Sequence, residues 1–187
     1  MPYNAYMPKQ NKRKSVDKVL TSLGAIIVIF LIVIGALAWW AYSFTTTNVT
    51  SELASQKIYF PPKNSPELAS PQIGPYLDQY AGQQLLTGPE AKAYADHFIA
   101  VHLSEIADGQ TYAQVSAESL ANPSNTQLKA EAQTLFQGET LRGLLLGDAY
   151  SFWTVGHIAQ IAAIACFVGA GLMLIFALLG LWHLSTL

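Results

Sequence analysis

Charge is what this sequence has least of. Of its 187 residues only 12% are Asp, Glu, Lys or Arg, about half the share of an ordinary soluble domain, while 51% are hydrophobic. Residues 19–51 contain no charged side chain, and neither do residues 149–187. Such a composition excludes a disordered chain, and without a regular glycine period it excludes collagen. The single cysteine, Cys166, lies inside the second charge-free stretch, so there is no disulfide and no CxxC pair. A Gly-rich phosphate loop and an internal repeat are also missing. Ser104 and Ser116 lie near histidines in sequence, but neither has the flanking pattern of a strained nucleophile turn. No nucleophile, base and orienting group are assembled, which argues against an enzyme.

The charge-free stretches themselves are informative. Residues 23–38 include eleven Leu, Ile, Val or Phe side chains, each contributing roughly −0.3 to −0.6 kcal/mol to insertion at mid-bilayer. A transmembrane helix is therefore expected over residues 19–44, with Trp39, Trp40 and Tyr42 as its aromatic belt. A second is expected over residues 151–184. Phe152 and Trp153 stand near one end and Trp182 near the other, and at 1.5 Å per residue the two tryptophans are about 44 Å apart, close to a whole bilayer with its headgroups. Five of the ten Lys and Arg (Lys9, Lys12, Arg13, Lys14 and Lys18) fall in the first 18 residues, against one acid, Asp17. This basic tail, residues 1–18, predicts a cytoplasmic N-terminus in the plasma membrane, residues 45–150 outside, and a short cytoplasmic end at residues 185–187. The same tail would also attract anionic lipid at about 1 kcal/mol per charge. Ala36-Leu37-Ala38 resembles a signal-peptidase site, but the apolar stretch exceeds the usual core of about 7–15 residues and bulky Trp39 and Trp40 follow at once, as in an anchor.

Residues 45–150 carry five basic and eleven acidic side chains, which disfavours nucleic acid and anionic substrates. Five of the nine prolines fall between Pro61 and Pro75, so residues 45–88 read as an irregular Pro-rich arm with a short extended piece at residues 57–60. Residues 89–150 read as a helical domain. Pro89 suits an early helical position, Ala91, Ala95, Phe98, Ile99, His102 and Ile106 recur at helical spacing, and Gly109 is a stop. A further helix is expected to begin near Pro123 or Asn125, with Leu128, Ala132, Leu135 and Phe136 on one side. Residues 133–153 contain no proline, so this helix is expected to run on into the second span. Gly138, Gly143 and Gly147 weaken helix by about 1 kcal/mol each. Gly143 and Gly147 form a GxxxG, followed by small residues at Ala159, Ala162, Ala163 and Cys166, suited either to packing between the chain's own spans or to self-association. The fold class is thus all-α: a membrane protein of two transmembrane helices with a small, mainly helical extracytoplasmic domain partly continuous with the second span.

Candidate ligands are few. His97 and His102, with Asp96 and Glu105, suggest a metal, but a five-residue spacing turns the two histidines about 140° apart on a helix. His102 with Glu105 is the better-placed pair, and two ligands fall short of the usual three or four. A packed, hydrogen-bonded His102 is the expected role. Within the second span His157 and Gln160 are expected to make an interhelical hydrogen bond, with proton transfer, quinone contact or haem ligation as the alternative. Glu139 and Arg142, three apart, predict a local salt bridge.

The strings YADHFIAVHLSEIADGQTYAQVS (residues 94–116), ANPSN (residues 121–125) and QTLFQGETLRGLLLGDAYSFW (residues 133–153) resemble a group of small two-span actinobacterial membrane proteins of unknown function. Members often carry the label "aromatic ring-opening dioxygenase". The resemblance covers about the last half of the chain and the exit of the first span at residues 49–58. Its signature is carried by His102, Leu103, Gly109, Thr111 and Tyr112, and by Gly138, Glu139, Thr140, Leu141, Arg142 and Gly143. It implies a membrane protein whose outer half is built on the second span. Ring-opening non-haem iron chemistry needs two histidines and a carboxylate on one iron, inside a domain that encloses an aromatic substrate, and the outer segment is too small and irregular for that. The expected function is therefore a non-catalytic accessory or scaffolding subunit of a larger membrane assembly, with lipid and a membrane protein or a second copy as partners, and with no cofactor. A ligand, metal or haem carrier using His102, or His157 with Gln160, is the second reading, and a metal-dependent dioxygenase the third.

Overall fold

The computed structural model describes residues 9–186, with side chains from residue 13 onward. Most of the proposed basic tail's first half, the Lys9 and Lys12 side chains and Leu187 lie outside the described part. The chain forms two compact units, one from the residues up to Tyr42 together with those from His157 onward, the other Ser43–Gly156. Among the described residues the structure is helical, with no strand beyond one isolated bridge between Tyr59 and Gln84.

Two helices are long and apolar enough to cross a membrane, Arg13–Gln56 and Thr126–Thr186. In the most apolar 18-residue window of each, only 11% and 17% of the residues are buried. The core helix of a soluble protein would hide such a window, whereas here Phe30, Trp40, Ile161 and Phe176 stand exposed.

The first unit pairs the early part of α1 (Lys9–Gln56) with α7 (Ser151–Thr186). On α7 the buried residues Ala163, Ala170 and Ala177 recur every seven positions, the period of a left-handed helix pair. Small residues let the backbones close up. A Cβ on Gly35 would fall 2.8 Å from the Phe167 ring, one on Gly180 2.6 Å from Thr21 Oγ1, and one on Gly24 3.8 Å from Ala177. Ala163 is thus in the seam. Gly143 and Gly147, the expected GxxxG, meet nothing within 4 Å, because a motif of small residues makes room but does not supply the neighbour.

In the second unit α1 continues to Gln56, so residues 45–56, expected to be irregular, are helical. The Ser and Thr hydroxyls here bond back within the helix, Thr46 Oγ1 to the Ser43 carbonyl at 3.3 Å and Ser55 Oγ to that of Glu52 at 2.7 Å, and so do not compete with it. The helix ends where Lys57 takes φ 54°, a left-handed stop. The Pro-rich stretch that follows has no long element, only short turns and α2 (Gly74–Leu77). Phe60, Leu68, Ile73, Leu77 and Leu85 nevertheless carry it into the core. Phe60 N–H donates to the Gln83 carbonyl and Leu85 N–H to that of Ile58, both at 2.9 Å.

Local signals set the remaining helices. α3 (Gly88–Ala93) opens on a capping box in which Thr87 accepts from Glu90 N–H and the Glu90 carboxylate accepts from Leu86 and Thr87 N–H at 2.8 Å, with Pro89 in the first turn. It passes through a π-helical turn, Tyr94–Ile99, into α4 (Ala100–Ile106), which stops before Asp108 and Gly109 at φ 50° and 79°. α5 (Tyr112–Ala121) begins on a second capping box, Thr111 with Gln114. The Asn125 side chain caps α6 (Thr126–Leu144), accepting from Gln127 and Leu128 N–H at 3.1 and 3.2 Å. A second π-helical segment, Leu145–Tyr150, joins α6 to α7 without a break.

Candidate functional site

The signature residues have structural placements. Thr111 is the N-cap of α5, the Tyr112 ring lies 5.7 Å from that of Phe136, and Gly138 admits the Leu103 side chain, since a Cβ there would fall 2.9 Å from Leu103 Cδ1. Arg142 sits between two carboxylates, 3.3 Å from Glu139 Oε2 as expected and 3.7 Å from Asp96 Oδ1. Asp96 also pairs with Lys92, whose ammonium lies 5.4 Å from the centre of the Tyr150 ring. This chain of charges links α3 and the first π turn to α6. Its side chains are partly exposed, so it contributes orientation more than stability.

Two groups here titrate upward. The hydrogen bond to Asp96 raises the Lys92 ammonium above its usual value, and burial pushes the Tyr94 phenol up. A folded-state pKa above the unfolded one means that the folded form holds its proton more tightly, so this stability is complete below about pH 10 and is lost as pH rises through the folded value. The full chain in detergent should therefore melt at a lower temperature at pH 11 than at pH 9. Tyr94→Phe should flatten part of that slope; an unchanged slope would dissociate it from Tyr94.

The histidines are placed apart. His97 stacks on Tyr76, with ring centres at 3.6 Å and planes within 3°. His102 Nδ1–H donates to the Phe98 carbonyl at 2.7 Å, and its ring leans on Phe98 at 4.4 Å. Glu105 is exposed. Among the described residues no three His, Cys, Asp or Glu side chains gather where a metal could be held. In the first unit the His157 ring meets Tyr42 edge-on at 5.4 Å, and Tyr42 meets Trp39 at 5.6 Å. Gln160 and Ala159 are half-buried.

A different feature of the second unit was not expected. Asn48, Glu52 and Gln56, at four-residue spacing on α1, face Leu144, Asp148 and Phe152, at the same spacing, across an open groove of about 490 Å³. Val49, Leu53, Leu145 and Ala149 form its apolar floor, and Gly147 leaves its wall without a side chain. The π-helical segment supplies Asp148, Gly147 and Ala149, in keeping with the use of such widened turns at ligand sites. Among the described residues neither Glu52 nor Asp148 joins an ion pair. The sequence did hold a signal for this groove: Glu52 is the first charge after the first charge-free stretch, and Asp148 the last before the second.

No known family, curated protein or solved structure matches the chain. Its functional reading therefore rests on its own residues.

Proposed function

We propose that the chain is a two-pass membrane protein, both ends cytoplasmic and residues 45–150 outside, that serves as a non-catalytic accessory or scaffolding subunit of a larger membrane assembly. The observation that carries this reading is the contrast between two long apolar helices whose windows are 11% and 17% buried and a second unit with its own closed core. The exposed apolar faces of the helices suit lipid and a neighbouring transmembrane helix, from another protein or a second copy. The basic residues Arg13, Lys14 and Lys18 ahead of the first span support the orientation.

The test has two stages. The protein should stay in the membrane pellet through an alkaline carbonate wash, and a tag at Pro71 should be cut by protease added to spheroplasts. Purification in mild detergent should then retain a membrane-protein partner or a second copy in fixed ratio. Recovery only as a lone monomer would remove the accessory role, and a protected tag would remove the orientation.

A further inference from the structure

We propose that the hollow between α5 and α6 binds a small carboxylate with an apolar tail, its carboxylate at Lys129 and Ser119 and its tail along the rings of Tyr112 and Phe136. The hollow lies wholly within the second unit, so the inference stands apart from the two-span reading. Tyr112, Ser119, Lys129, Ala132, Gln133 and Phe136 line about 410 Å³, within the range of ordinary ligand sites. Ser119 is the residue that points to a ligand. It is 8% exposed, it faces the hollow, and its hydroxyl has no hydrogen-bond partner among the described residues. A hydroxyl so placed costs free energy until a polar group in the hollow satisfies it.

The walls set the chemistry. Residues 45–150 carry eleven acids against five bases, yet the lining of the hollow has one base and no acid. Lys129 joins no ion pair among the described residues. The acids nearest to these residues in sequence are turned to other partners, Glu118 accepting from Gln110 and Glu131 from Gln127, both at 2.9 Å. The local sign is therefore opposite to that of the unit as a whole, and it attracts an anion. A carboxylate takes the Lys129 ammonium as a charge-assisted donor, and the Ser119 hydroxyl and the Gln133 amide as neutral ones. The pairing of the helices sets the length of the ligand. Ser119 and Lys129 each lie seven residues along their helices from Tyr112 and Phe136, about 10 Å at 1.5 Å per residue, so the polar and apolar ends are two turns apart. The two rings, with centres 5.7 Å apart and 39% and 50% exposed, offer an apolar wall to a tail of that length.

Octanoate is the probe, with octanol as the same tail without charge, octylammonium as the opposite charge and acetate as the head without the tail. Equilibrium dialysis of each against the full chain in mild detergent reads binding; uptake by the detergent is common to parent and variants and cancels in the difference. Octanoate should bind saturably, tighter than octanol or acetate by about tenfold or more, as expected for one charge-assisted contact and one apolar wall. Octylammonium should not bind. Lys129→Gln should weaken octanoate about tenfold and Ser119→Ala about threefold, and Phe136→Ala should bring octanoate close to acetate. All three variants should melt cooperatively near the parent, since Lys129 has no ion pair to lose, alanine suits a helix better than serine, and Phe136 is half-exposed. Octanoate bound equally by parent and Lys129→Gln or by parent and Ser119→Ala, octanol bound as tightly as octanoate, or binding of octylammonium would each overturn the proposal. So would a membrane-protein partner that is retained by the parent and lost from Lys129→Gln, because the hollow would then be a protein contact.

Discussion

Phe60→Ala should cost the second unit about 3–5 kcal/mol, the range for removing a fully buried aromatic ring, and should abolish its cooperative melting at moderate temperature. Phe60 is 2% exposed, and its ring lies 5.1 Å from Tyr80 and 5.5 Å edge-on from Tyr94. It joins the end of the Pro-rich stretch to the first π turn. Truncation removes the ring's buried surface and leaves a cavity that backbone fixed by Pro61 and Pro62 is poorly able to collapse into. Phe60→Leu should recover much of the loss. Limited proteolysis of the full chain measures this directly: residues 57–87 should become the first cleavage sites in Phe60→Ala and resist in the parent. Equal resistance in the two would mean that the stretch is not held by the core.

Gly88→Ala is expected to be a strongly damaging single-methyl addition, costing about 2–3 kcal/mol, toward the upper end for overpacking. A Cβ at Gly88 would fall 2.5 Å from Trp153 Cγ and nearer still to Trp153 Cβ. The α7 backbone fixes that Cβ, so a change of the Trp153 rotamer would move Cγ but leave the clash with Cβ in place. Gly138 offers a control, because Leu103 is a branched aliphatic side chain with rotamer freedom and the same substitution there should cost less. Gly143→Ala should be neutral or slightly stabilising, since nothing lies within 4 Å of the added methyl and alanine favours helix by about 1 kcal/mol. Thermal unfolding of the three variants in detergent gives the order; Gly88→Ala melting with the parent would refute the packing described.

What could be read from the sequence was what is set locally. The two long apolar helices follow from the charge-free stretches, and Pro89, Gly109 and Asn125 mark starts and stops because caps and left-handed positions depend on a few adjacent residues. α5 is not marked by its apolar spacing, because Ala113, Ala117 and Leu120 share an exposed face while Val115 and Ser119 are the buried residues. Its one signal was the Thr111-x-x-Gln114 capping box. The pairing of Asp96 with Arg142, the entry of Phe60 and Leu85 into the core and the facing of Glu52 by Asp148 all join residues far apart in the chain. No local pattern encodes such pairings. The glycines show the same limit from the other side, since Gly143 and Gly147 matched a motif yet Gly35, Gly88, Gly138 and Gly180 are the ones with a side chain pressed against them.

The recurrence of Ala163, Ala170 and Ala177 carries a geometric consequence for whatever lies beside the first unit. A straight α-helix drifts about 20° for every seven residues against that repeat, so keeping the three alanines inward obliges the pair to wind like a two-strand rope. Its outward ridges, including Ile161, Val168 and Ile175 at the same interval, then trace a shallow spiral. A straight neighbouring rod could touch that spiral for only a turn or two, whereas one that coils in the same sense could follow it throughout.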